Sequence, residues 1–320
     1  MSEVYFKDVN VLKGPVLSLL QKDGYQAVDM HYHTKFSVDG LAAINTVLNK
    51  CKKDSMGIAV TDHNNWRGSQ QAEQLNHKKI FIVPGIEITC HTGAHVLLHF
   101  YDGRGLRSFY EQEMERWVKE SPWFIRLSHE EVIERASKHN CLITVPHPFG
   151  HGLIGIKRFN PKFETMNKVH AVEVINGCCF NEMNLHAIHW AKRLDKGFTG
   201  GSDGHCLAEL GTSLTICKAD TVEEFLNQIK KKKSMVIGKE ERLLDDAVHA
   251  MEKFVREEEK APSKELEEMW RDRGLLEWNL FKKKIFGGGL FHHFHAHHQI
   301  PDRAVLKEHK QTKHLLEHMK

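Results

Sequence analysis

The stretch Asp29-Met30-His31-Tyr32-His33, followed six residues later by Asp39-Gly40, decides the fold. It reads as the end of a short strand over 27–33. Successive side chains of a strand point to opposite faces, so His31 and His33 project the same way. Two imidazoles leaving one strand end together are a ready pair of metal ligands. Such a pair is one corner of a site, and the other corners belong where further strands end.

Further strands do end on polar residues. Gly57-Ile58-Ala59-Val60-Thr61-Asp62-His63 is an apolar run closing on an aspartate and a histidine, and the run over 80–87 closes on Glu87. The strand over 95–100 begins at His95. Cys141-Leu142-Ile143-Thr144-Val145 stops at Pro146-His147-Pro148, and the run over 171–175 is another buried strand. The segment over 198–203 ends on Gly201-Ser202-Asp203, with His205 two residues on, and strands over 212–217 and 234–237 follow. Amphipathic helices alternate with them over 41–53, 128–139, 182–196 and 222–232. In the first, Ala43, Ile44, Val47 and Leu48 should face inward. Ser128 and Glu131 have capping-box spacing.

Alternating apolar strands and helices over 27–238 indicate a parallel α/β fold with the sheet covered on both faces. Polar clusters at the C-terminal strand ends suit a β/α barrel, whose active site lies on that edge. An open doubly wound sheet is the rival, since it binds ligands at the same ends. The division expected is a barrel domain over 1–239 and a helical, His-rich extension over 240–320, which carries Gly287-Gly288-Gly289 and the histidine cluster over 292–298.

Composition narrows the function. An apolar fraction of 41% supplies a core, which excludes a disordered class. Lys+Arg 45 against Asp+Glu 42 leaves a net charge of +3, not the basic excess of a dedicated nucleic-acid coat. The 24 histidines are the outlier. Seven cysteines show no C-x-x-C pair and no disulfide spacing, the usage of a reducing compartment. With no basic-then-apolar leader and no run of about 18 apolar residues, the expectation is a cytoplasmic protein without a transmembrane segment.

Taken together, His31, His33, Asp39, His63, Glu87, His95, His147, Asp203 and His205 exceed the three or four ligands of one zinc ion. A cluster of two or three divalent ions fits better, and imidazoles and carboxylates without cysteine favour Mn, Zn or Fe.

In these motifs the chain resembles the PHP (polymerase and histidinol phosphatase) phosphoesterases. The residues that carry the resemblance are Asp29 to His33 with Ser37-Val38-Asp39-Gly40, Thr61-Asp62-His63, Pro84-Gly85-Ile86-Glu87, His95-Val96-Leu97-Leu98, Pro146-His147-Pro148 and Gly201-Ser202-Asp203-Gly204-His205. They span about residues 27–238 in unbroken order. The resemblance implies a distorted seven-stranded, TIM-like β/α barrel with a trinuclear metal site on its C-terminal rim, and it implies phosphoester hydrolysis. It places His31, His33, Glu87 and Asp203 on one metal and at the catalytic centre. Glu87 bridges to a second metal shared with His95 and His147. Asp39, His63 and His205 hold or flank the third. His99, four residues after His95, is the alternative ligand. The segment between the strand at 95–100 and the Pro-His-Pro motif is shorter than in many relatives, so substrate class stays open among a small phosphomonoester, a nucleotide and a nucleic-acid end.

Paired metals acidify a bridging water and clamp the oxygens of an in-line displacement. Arg104, Lys157 and Arg158, with Arg107, are the cations expected to receive phosphate, and His151 is a candidate proton donor. Two other classes remain: a metal-binding regulatory module without catalysis, and an amidohydrolase-like enzyme acting at carbon. Oligomeric state is left open.

Overall fold

The computed structural model describes residues 2–7, 9–77, 79–118, 124–150 and 154–238. The extension expected over 240–320, the boundary before it and His151 lie outside the described residues. Ten strands are present among the described residues: β1 (Glu3–Phe6), β2 (Tyr25–Tyr32), β3 (Gly57–Val60), β4 (Ile82–Thr89), β5 (His95–Phe100), β6 (Cys141–Val145), β7 (Ala171–Asn176), β8 (Gly197–Gly201), β9 (Ser213–Lys218) and β10 (Met235–Gly238). The helices are α1 (Pro15–Lys22), α2 (Ile44–Asp54), α3 (Arg67–Gln74), α4 (Gly103–Phe109), α5 (Glu115–Val118), α6 (His129–Ala136), α7 (Phe163–Lys168), α8 (Asn181–Arg193) and α9 (Val222–Lys230). A π-helical turn, Tyr110–Met114, joins α4 to α5.

The strands form one sheet in the order β1-β10-β9-β2-β3-β4-β5-β6-β7-β8. The seven from β2 to β8 curl until their two outer edges meet. At that seam the Asp203 N–H donates to the His31 carbonyl at 2.8 Å, and the His33 N–H donates to Gly204 at 2.9 Å. The approach needs a glycine: a Cβ on Gly201 would lie 2.4 Å from the Cβ of His31. The strand count therefore exceeds the seven expected, because β9, β10 and the four-residue β1 continue the sheet beyond β2.

Strand direction also departs from the parallel expectation. β2, β3 and β4 run parallel, as do β6, β7 and β8, but β5 is antiparallel to both neighbours. Only residues 90–94 separate β4 from β5, too few for a parallel crossover, which takes a dozen or more. β9 is likewise antiparallel to β2.

The wall strands are buried along nearly their whole length, as the continuous apolar runs require. On one side Phe225, Leu226 and Ile229 of α9 pack with Val28, Ala59, Val83 and Leu142. A larger core fills the space around β4 to β7, with Phe100, Phe109, Ile133, Val172 and Ile188 among its members. Each such side chain contributes roughly 1.5–3 kcal/mol on leaving water. In α2, Ile44, Val47 and Leu48 are buried as expected, but Ala43 is the exposed N-cap and Ala42 is buried in its place. The capping box at the start of α6 is formed in full, Ser128 and Glu131 each accepting the other's backbone N–H.

Candidate metal centre

His31 and His33 leave β2 on one face and meet the carboxylates delivered by β4 and by the turn after β8. Their Nε2 atoms face each other at 3.1 Å. From His31 Nε2, Glu87 Oε2 lies at 3.2 Å and Asp203 Oδ1 at 3.3 Å; from His33 Nε2, both lie at 3.2 Å. Five of the six edges of this four-donor cage thus fall between 3.1 and 3.3 Å. Ligands held tetrahedrally at about 2.0 Å from an ion are separated by about 3.3 Å, so the residues fit a divalent cation.

Two further groups overlap with this one. His33 also converges with Asp39, His63 and His205, and Glu87 also converges with His63 and His95. The Asp39 carboxylate lies 2.9 Å from His205 Nε2 and 3.5 Å from His63 Nε2. Glu87 divides its oxygens. Oε2 faces His31, His33 and His63, whereas Oε1 faces His95 at 3.0 Å and His147 at 3.2 Å. All nine residues expected as ligands are therefore gathered on one rim: His147 stands beside His95 on Glu87 Oε1, and His63 joins Glu87 from the Oε2 side.

The electrostatics follow from that crowding. Burial opposes charge on Glu87, yet His31, His95 and His63 hold its carboxyl well below the usual range. Asp203 is held down in the same way, chiefly by His31 and His33 against its burial, and Asp39 by His205 and His63. His31 moves well above the ordinary imidazole value because Asp203, Glu87 and Glu173 outweigh the cost of burying its charge. Strain is present too. Asp203 has φ 51° and His147 φ 25°, left-handed conformations uncommon for residues with a side chain and concentrated at functional sites.

The alternative ligand, His99, is elsewhere. It is fully buried, its Nε2–H donates to the Met30 carbonyl at 2.9 Å, and burial pushes it down to about 4. Of the expected phosphate-binding cations, Lys157 and Arg158 lie in the 3-10 turn Ile156–Phe159 on the rim side, where the Lys157 N–H bonds the Pro148 carbonyl at 3.1 Å. Arg104 does not join them. Because β5 runs from the rim downward, the turn after it opens at the opposite edge, and Arg104 sits there 96% exposed beside Asp102.

Residues that carry no role in the sequence reading support the cage. Glu173, inside β7, accepts His31 Nδ1–H at 3.1 Å and the His147 backbone N–H at 2.9 Å. Asn176 donates to Glu173 and to Asp203. Asp29 accepts from Ser202 N and Oγ, from Gly211 and from the His31 N–H, pinning the seam. Burial raises it to about 6 against those hydrogen bonds. Asp62 turns away from the donors to hold Thr34 through its backbone N–H and hydroxyl. The available signal was a lone carboxylate in an otherwise apolar strand, as in Ala171-Val172-Glu173-Val174-Ile175.

Comparison with known proteins agrees with this layout. Residues 181–234 match the PHP-associated family model. A two-domain protein of Bacteroides vulgatus containing a predicted PHP-like metal-dependent phosphoesterase superposes with a TM-score of 0.52 at 18% identity, over 72% of this chain and 71% of that one. The chain has the PHP barrel fold. The same PHP barrel is shared with the lesion-specific endonuclease of Pyrococcus furiosus (TM-score 0.52, 17% identity, 89% of this chain and 88% of that one). It is also shared with an Endonuclease Q bound to a 27-mer duplex with an abasic lesion at its active site (TM-score 0.55, 15% identity, 71% and 67%). An uncharacterised protein of Methanocaldococcus jannaschii is 29% identical over 229 residues, 68% of this chain and 84% of that one. At the level of the PHP barrel, the expected resemblance holds.

Proposed function

We propose that this PHP barrel is a metal-dependent phosphoesterase that hydrolyses a phosphomonoester, nucleotide or nucleic-acid end at the rim. The observation that carries the reading is the four-donor cage of His31, His33, Glu87 and Asp203 with its two overlapping neighbours. Two or three divalent ions of the Mn, Zn or Fe kind, when bound, supply a water acidified toward neutrality and positive charge for the phosphoryl oxygens. The chain's own residues do the rest. Glu87 offers one oxygen to each half of the site, which suits a bridging carboxylate. Glu173 fixes the ring of His31, so that Nε2 faces the cage. Lys157 and Arg158, in the 3-10 turn Ile156–Phe159, would neutralise phosphate charge in this reading.

Hydrolysis at carbon has less support. Enzymes of that class usually bridge their metals with a carbamylated lysine, and no lysine is buried among the described residues. Among the described residues no helix is long and apolar enough to cross a membrane. Seven cysteines, none of them in a disulfide and five of them buried, suit the reducing cytoplasm. The test is elemental analysis joined to a phosphate-release screen over phosphomonoesters, nucleotides and short oligonucleotides with Mn, Zn and Fe. Release that depends on the metal and is abolished in His31→Ala is expected. Stoichiometric metal binding without release would favour the regulatory reading instead.

A further inference from the structure

Beside the metal cage a second cavity opens, and its contents differ in kind. It has a volume of about 490 Å³, within the range of small-molecule sites, and His63 both lines it and belongs to the two ligand groups that overlap the cage. Its walls carry Phe36, Trp66 and Tyr110, three aromatic side chains that are only partly buried. Trp66 and Tyr110 stand 6.2 Å apart between ring centres, and Arg107 lies over the Trp66 ring at 5.7 Å. Tyr110 opens the π-helical turn Tyr110–Met114, a form rare in helices and frequent at functional sites.

We infer that this cleft holds the heteroaromatic ring of a mononucleotide whose phosphate is presented to the metal cage past His63. The proposal rests on the phosphoesterase reading above and names its substrate class. Ring faces beside a guanidinium make a stacking platform for a base. Charge argues for a single nucleotide over a strand. Two arginines, Arg67 and Arg107, and two glutamates, Glu111 and Glu115, line the cleft, and Arg107 pairs with Glu111 at 2.7 Å. That balance lacks the net positive charge with which a groove tracks a continuing sugar-phosphate chain, while it accommodates one uncharged base. Val38 and Phe36 belong to the loop that also delivers Asp39, so ring and phosphate would be held by one segment.

The experiment compares AMP with ribose phosphate and a short oligonucleotide on the metal-loaded full chain, alongside equilibrium binding of AMP by calorimetry. Preference for AMP in kcat/KM is expected. In Trp66→Ala the ratio of AMP to ribose phosphate should collapse roughly ten- to hundredfold, the scale of one lost stacking partner. Trp66→Phe, which keeps a ring, should restore most of it, and equal melting temperatures separate this from unfolding. Equal turnover of AMP and ribose phosphate by the wild type, or preference for the oligonucleotide, would overturn the proposal. If no phosphoester is cleaved but AMP binds and Trp66→Ala weakens it, the cleft stands and the phosphoesterase reading falls. If AMP does not bind, the cleft assignment falls whatever the activity.

Discussion

Glu173 accepts the Nδ1–H of His31 at 3.1 Å, and this single bond decides which imidazole nitrogen faces the carboxylates of Glu87 and Asp203. The same carboxylate accepts the His147 N–H and the Asn176 amide on its other oxygen. Glu173→Gln must set an amide NH2 against one of these donors. Metal affinity is expected to fall about 10- to 100-fold, the usual cost of losing such support, with the barrel still folded. Titration of the apoprotein with zinc, followed by calorimetry and circular dichroism, measures both.

His95 and His99 lie on one strand and one face, and their environments set opposite outcomes. His95→Ala removes a donor 3.0 Å from Glu87, so metal content and activity should drop together while the urea midpoint of the apoprotein barely moves. His99→Ala empties a fully buried position and strands the Met30 carbonyl. It should cost about 2–4 kcal/mol of stability and leave the number of bound ions unchanged. Urea unfolding beside elemental analysis separates the two.

His99 also sets a pH dependence. Its folded value, about 4, lies below the ordinary imidazole range because burial disfavours the charged form. The unfolded chain therefore takes up a proton first as pH falls. The stability held by neutral His99 is complete above roughly pH 6.5 and is lost as pH drops toward 4. Between pH 7 and 4.5 the wild type should lose about 2 kcal/mol more than His99→Gln. Parallel loss in both proteins, read from urea midpoints, would count against this account.

Gly201→Ala would force a methyl group to within 2.4 Å of His31 Cβ and 2.5 Å of its backbone nitrogen. Overpacking of this kind costs about 1–3 kcal/mol, and here it displaces a cage residue as well. Lower thermal stability and reduced metal occupancy are expected together, whereas Gly105→Ala, with no contact closer than 3.6 Å, should do neither.

Much of the site was readable because strand alternation and chain order carry it. His31 and His33 follow from a period of two, and Glu87, His63 and Asp203 from apolar runs that end on polar residues. Direction was harder. The turn over residues 90–94 is too short for a crossover, and overlooking that length puts Arg104 at the rim when β5 carries it to the other edge. Glu173 was hidden by a strand that otherwise reads as plain core, since its partner lies 142 residues away. β1 is four residues long, too brief for periodicity to mark it.

The seam between β2 and the turn after β8 has a consequence for the order of folding. Asp29 and Ser202, hydrogen-bonded across it, are 173 residues apart in the chain. Closing so long a loop is slow and entropically costly, so contacts of this range form after the local hairpin of β4 and β5. Glu87 and His95 come together with that hairpin, whereas Asp203 reaches His31 only once the whole wall has wrapped around. A cation bound there clasps the first barrel strand to the last and draws the folded population toward closure by mass action. The backbone amides of Asp203 and His33, which span that junction, should then exchange hydrogen faster after chelation than those inside the hairpin.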